Sequence, residues 1–267
     1  MKSIIFHGIF PAAILACLAA VSPAQSQGDD KAARDFVATR GSSVVRLPSS
    51  PKLKTPPANN IGLGYTIFKK NAAGKPARVK ESHRFRSGDE IRLMIESNIT
   101  GYLYIFTTEN DGPPEMIFPD PRLRDGGNRI QAHVPYEAPS GQEEDPDFRW
   151  FHFNENAGVE RLYLIVTREP MSGVLAGEKL VDFCREHPND CPWKPSDSFW
   201  NQLLANANTE TRESENRASG QAQSSVERQA VARGLGLPHR APKPQKVRMN
   251  TSPQSRMLVV RVDLAHQ

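Results

Sequence analysis

The chain has 267 residues, 38% of them hydrophobic and 7% aromatic, with 22 Pro and 18 Gly, a composition that describes a modest core interrupted by many turns. Its formal charge of +4 is unevenly spread: residues 60–170 hold 14 basic against 17 acidic side chains, whereas residues 205–255 hold 8 against 4. A nucleic-acid binder gathers Lys and Arg on its folded face, and beyond the first 24 residues no apolar run reaches the ~20 needed to span a bilayer, so nucleic acid and an integral membrane role are both disfavoured.

In chain order, Lys2 precedes an apolar stretch from Ile4 to Val21, and Ser22-Pro23-Ala24 places small residues where leader peptidases cut. Residues 1–24 therefore read as a signal peptide cleaved near Ala24, and the mature protein as periplasmic or extracellular. Pro11 and Pro23 argue against a buried helix there. An envelope lipoprotein anchored at Cys17 is the rival, but Leu15 is bulky for a lipidation signal and the apolar stretch runs past Cys17. Residues 25–60, with Pro48, Pro51, Pro56 and Pro57, read as a disordered linker. Asp30 to Val37 offers one helical turn or two.

Residues 61–170 change to period two. Tyr65 and Ile67 alternate with Thr66 and Phe68. Val79 to Phe85 makes a weaker strand, and Ile91, Leu93 and Ile95 oppose Arg92, Met94 and Glu96, the mark of a half-buried strand. Tyr102 to Phe106 is apolar on both faces and should be central. Asn110-Asp111-Gly112 turns the chain into Met116-Ile117-Phe118, which Pro119 and Pro121 end. Ile130 to Val134, Phe148 to Phe153 and Leu162 to Val166 complete about eight short strands, the spacing of a sandwich or barrel.

Residues 171–204 become helical, with Ser196 or Ser198 as a cap for Phe199 to Leu204. Loss of Cys17 with the signal leaves Cys184 and Cys191, and an even pair in an oxidising compartment favours a disulfide over a nucleophilic Cys184 beside His187. Residues 205–255 lack Phe, Trp and Tyr, so they read as a disordered basic insertion with a transient helix near Val226 to Ala232. Residues 256–267 alternate again at Leu258, Val260, Val262 and Leu264. This strand is expected to return across the insertion and complete the sheet begun at Tyr65, since loop closure costs grow only logarithmically.

Several stretches together resemble the domain of unknown function 4384 family: Phe85-Arg86-Ser87-Gly88-Asp89, Glu96-Ser97-Asn98 into Gly101-Tyr102-Leu103-Tyr104-Ile105-Phe106, Phe118-Pro119-Asp120-Pro121, Asn128-Arg129-Ile130, and Glu160-Arg161-Leu162-Tyr163 to Arg168-Glu169-Pro170. The resemblance runs from Phe85 to Pro170. It implies a bacterial domain that often accompanies caspase-like peptidase, kinase or envelope modules, and it carries over no catalytic residue. The acidic loop 137–147 and the segment 171–255 depart from the compact family pattern.

No nucleophile elbow, Walker loop, zincin helix or Cys-x-x-Cys pair occurs, and the Gly62/Gly64 and Gly234/Gly236 pairs lack the third glycine of a dinucleotide loop. Histidines 83, 133, 152, 187, 239 and 266 show no metal-ligand spacing; His152 reads as a partly buried, hydrogen-bonded ring. Glu143, Glu144, Asp145 and Asp147 of the acidic loop are the candidates for Ca²⁺ or, with a histidine, for a cryptic hydrolase. Tyr102, Tyr104, Phe106, Phe148, Trp150 and Tyr163 could stack on sugars, but core packing explains them better. No catalytic, cofactor or metal residue is assigned. The expectation is a mostly β chain, an immunoglobulin-like antiparallel β-sandwich with a short α-helical appendage and a disordered insertion. It would act without catalysis as an interaction module for an unknown protein or envelope component.

Overall fold

The computed structural model describes residues 31–40, 60–123, 127–206, 210–216 and 218–267. The export signal, Cys17, Ala24 and linker residues 41–59 lie outside the described residues. Two antiparallel sheets pack face to face as a sandwich of the immunoglobulin-like type, without closing into a barrel.

The first sheet is built on β1 (Gly62–Lys70), which pairs along one side with β3 (Glu90–Ser97). Its other side is shared by β2 (Pro76–Val79) and β11 (Lys246–Asn250), and β11 in turn pairs with β10 (Thr211–Glu215). The free side of β3 carries β7 (Tyr136–Ala138) and β8 (Phe151–His152). The second sheet runs β12 (Met257–His266), β9 (Gly158–Thr167), β4 (Gly101–Glu109), β5 (Glu115–Phe118), with β6 (Arg129–Ile130) also on β4. Alternation explains the core: Leu63, Tyr65 and Ile67 of β1 and Ile91, Leu93 and Ile95 of β3 face Leu103 and Ile105 of β4, Leu162, Leu164 and Val166 of β9, and Leu258, Val260, Val262 and Leu264 of β12.

Both outer faces are covered as well. Helices α2 (Glu178–Glu186) and α3 (Asp197–Asn206) lay Leu180, Trp200 and Leu203 on Tyr104, Phe106, Tyr163 and Ile165. Ser196 starts α3 by accepting from Phe199 N at 3.3 Å. The Cys184–Cys191 disulfide closes the connection between these helices. On the first sheet, α1 (Lys31–Ala38) sets Phe36 and Val37 against Val247 and Met249. Gly62 and Gly64 make this approach possible, because a Cβ on Gly64 would overlap the Pro244 ring and one on Gly62 would press into Phe36 at 2.9 Å.

Three expectations are corrected here. Residues 205–255 are not a disordered insertion where described: they supply β10, β11 and α4 (Ser225–Arg233), the last started by a Ser224–Glu227 capping box and ended by Gly234 in the left-handed region at φ 60°. Their small apolar area is supplemented by main-chain pairing with β1 and by buried ion pairs, neither of which composition reveals. Within the expected linker 25–60, residues 31–40 are packed, with Phe36 and Arg40 fully buried. The C-terminal strand joins β9 over ten residue pairs in the second sheet, and β11 takes the place beside Tyr65.

Candidate functional site

Burial of the outer face of β3 makes its charges internal. Glu96, 1% exposed, receives Arg40 in a two-pronged bond, Nε to Oε1 at 2.8 Å and Nη2 to Oε2 at 2.7 Å. Arg40 also donates to the carbonyls of Ala241 and Pro242. His133 Nδ1 lies 2.8 Å from Glu96 Oε1, and its Nε2 lies 2.7 Å from Thr39 Oγ1. Hydroxyl, imidazole and carboxylate thus stand in the order of a nucleophile relay. Thr39, however, donates its proton to the Phe36 carbonyl at 2.8 Å, and the ring is 1% exposed. The carboxylate is already held by Arg40. The arrangement fastens α1 and the 237–242 turn to β3, with Leu237 N donating to the His133 carbonyl at 2.8 Å.

Two further buried pairs repeat this logic. Arg78 on β2 meets Glu227 on α4. Arg92 stacks over Trp150 at 4.0 Å and faces Glu137, which accepts from Gln223 Nε2 at 3.0 Å. In each case a charge from a segment distant in sequence offsets the desolvation of one on the sheet.

The acidic loop does not gather its carboxylates. Asp145 accepts from Asp147 N at 3.0 Å and caps the short 3-10 turn Pro146–Arg149, Glu143 is buried, and Glu144 and Asp147 face solvent. The Arg149 guanidinium donates to the Glu143 and Glu144 carbonyls at 2.7 and 3.1 Å, placing a cation among the oxygens a calcium ion would need. The cleft that His152 lines contains neither Asp145 nor Asp147, and no group of three His, Cys, Asp or Glu suited to a metal occurs among the described residues. Of the aromatic set, Tyr104, Phe106, Trp150 and Tyr163 are buried, Tyr102 is half-buried and Phe148 is 38% exposed, so they form no stacking platform.

What the sequence reading passed over is the open end of the sandwich. A cleft of about 570 Å³ enters between the sheets, floored by Ile91, Ile117, Phe151, Leu162 and Leu264. At its mouth stand Glu109, Glu115 and Glu160. Glu109 continues the inward line of Leu103 and Ile105, and Glu160 that of Leu162 and Leu164, and the two glutamates are direct partners across β4 and β9. Burial, and then the charge of Glu109, push the Glu160 carboxyl above its ordinary range, an effect that His266 moderates. His152, expected to be partly buried, is exposed at this mouth, its Nδ1 3.7 Å from Glu90. The signal was legible: extending the alternation of β9 by one step from Leu162, and that of β4 by two steps from Ile105 through Thr107, puts an acid on each inward line.

The second feature is an edge. Strand β12 pairs with β9 alone, and near its end Phe85 N donates to Ala265 O at 2.8 Å while Gln267 N donates to Phe85 O at 2.9 Å. Odd-numbered main-chain groups of β12 therefore point away from β9. Those of Val259, Arg261 and Asp263 have no main-chain partner on that side among the described residues. Arg261 and Asp263 pair with each other on the outer face at 3.0 Å.

These features define an antiparallel sandwich with both faces covered, a long edge at β12 that is open among the described residues, and an acid-mouthed cleft. Residues 84–170, about a third of the chain, match the family model described as Domain of unknown function (DUF4384), and the resemblance read from the sequence holds over that segment. No curated protein and no solved structure matches the chain. No helix among the described residues is long and apolar enough to cross a membrane.

Proposed function

We propose that the protein is a non-catalytic interaction module of the bacterial envelope or periplasm, exported by its N-terminal signal, which recognises an extended segment of a partner protein by adding it to the free edge of β12. The observation that carries this reading is the row of outward main-chain groups at Val259, Arg261 and Asp263, on the longest edge strand among the described residues. Edge addition draws affinity from the main chain and specificity from alternate side chains. Support also comes from what the other polar groups do: Glu96, Glu137 and Glu227 are engaged in holding covers onto the first sheet. The helices α2 and α3 close the outer face of the second.

A pair of substitutions separates main-chain from side-chain recognition. Arg261→Pro deletes an edge donor without touching the ladder to β9, whereas Arg261→Ala keeps the donor and removes the charge. With both variants verified as folded by circular dichroism, a partner retained from native envelope fractions by the wild type should bind Arg261→Ala comparably and Arg261→Pro about tenfold more weakly. Equal retention by all three would overturn the edge as the recognition element.

A further inference from the structure

We infer that the open end of the inter-sheet core binds a small amphipathic organic cation, an amine or guanidine carried on an apolar body. This goes beyond the edge interaction and stands independently of it. The cleft volume of about 570 Å³ lies within the range of small-molecule sites. Its floor of Ile91, Ile117, Phe151, Leu162 and Leu264 is the hydrophobic core itself left open, which suits an apolar body and wastes the hydration of an inorganic ion. No Lys or Arg lines it.

The charge at the mouth selects the occupant. Elsewhere a buried acid is matched by arginine, as Glu96 is by Arg40, Glu137 by Arg92 and Glu227 by Arg78. Glu109, Glu115 and Glu160 form no ion pair within 4 Å among the described residues, and the hydrogen bond to Glu109 comes from the neutral Asn154 at 3.3 Å. Glu109 and Glu160 face each other across neighbouring strands, an arrangement that destabilises a sheet when both are charged. Folds keep such local conflicts where a ligand resolves them. A cation between Glu109 and Glu160 would supply a counter-charge beyond what His266 gives Glu160, while an anion of the same shape would meet like charges and a neutral analogue would leave the Glu109–Glu160 repulsion in place.

The test uses the full-length protein and a matched set of probes: tryptamine, its neutral analogue tryptophol, its anionic analogue indole-3-acetate, and putrescine as a charge without an apolar body. Protein-detected NMR titration should show saturable tryptamine binding with shifts centred on residues 107–117 and 151–162. Affinity should be at least about tenfold above that for each other probe. Glu109→Gln and Glu160→Gln, each of which relieves repulsion and so preserves folding, should each weaken tryptamine about tenfold, and Glu169→Gln, away from the cleft, should not. Four results would overturn the inference: no saturation by tryptamine, equal binding of tryptophol, equal binding of putrescine, or cleft variants that behave as Glu169→Gln does. Binding of a lysine-bearing peptide without tryptamine would overturn the small-molecule assignment in favour of a protein ligand. Loss of partner retention in Arg261→Pro with tryptamine binding intact would leave this site standing, so the two proposals fail separately.

Discussion

Glu227 has no exposed surface, yet it is charged in sequence terms and sits in a segment whose composition points to disorder. Its carboxylate meets the Arg78 guanidinium and accepts from Ser224 N and Oγ, both at 2.8 Å. Glu227→Ala strands Arg78 in a desolvated site and should cost about 3–5 kcal/mol in urea unfolding. The double variant Arg78→Met with Glu227→Met should recover more than half of that loss, since paired apolar replacements of a buried ion pair are often neutral. A single-variant cost below about 1 kcal/mol would mean that α4 is not held this way. Glu160 behaves in the opposite sense. Its folded pKa is raised, first by burial and then by Glu109, so the folded state binds its proton more tightly than the unfolded chain. Stability is then lost as pH rises from the ordinary carboxylate range through the raised value. Glu160→Gln should accordingly gain about 0.5 kcal/mol at neutral pH, and the gain should vanish when both proteins are measured below pH 4. A constant gain across that range would remove ionisation as the cause.

At the scale of elements, the alternation of β1, β3, β4, β9 and β12 was legible because each presents apolar side chains to one shared interior at a period of two. The outer faces were not. Arg92, Met94 and Glu96 read as solvent-facing, and all three are buried; Glu96 is covered by Arg40 and His133 and Arg92 by Trp150, whose spatial position no local pattern encodes. The same holds for β11, where Val247 and Met249 alone are too little apolar surface to announce a strand until Phe36 is placed on them. The partner of β12 was misread for a related reason: period two says that a strand exists and which face is inward, not which neighbour it chooses. Gly64 makes the covering testable. A Cβ there would overlap Pro244 and crowd Phe36, so Gly64→Ala should cost about 1–3 kcal/mol by displacing α1 and the 244 turn. Amide exchange at Val247 and Met249 should accelerate together with it. An unchanged exchange rate in that variant would show that α1 does not seat where the glycines clear space.

For the whole molecule, the order of layers decides how the chain folds. The α1 cover comes from before the family-matched segment, the β10–α4–β11 cover from after it, and the last core strand, β12, from the C-terminus. The 84–170 segment by itself would expose the outer charges of β3 and leave β9 without β12, so it is a part of this sandwich and not a unit that others decorate. Had residues 205–255 been an excursion between two paired strands, their removal would cost little beyond loop closure. In the observed topology removal takes away the β11 partner of β1, the Glu227 partner of Arg78 and the Ala241 and Pro242 carbonyls that hold Arg40. A chain in which a short Gly/Ser linker replaces residues 205–255 should therefore show no cooperative thermal transition by circular dichroism, although every apolar strand of the inner core is retained. A transition within about 1 kcal/mol of the wild type would contradict that assignment, because it would mean that the two inner faces suffice and that the buried charges of the first sheet tolerate water in place of their partners.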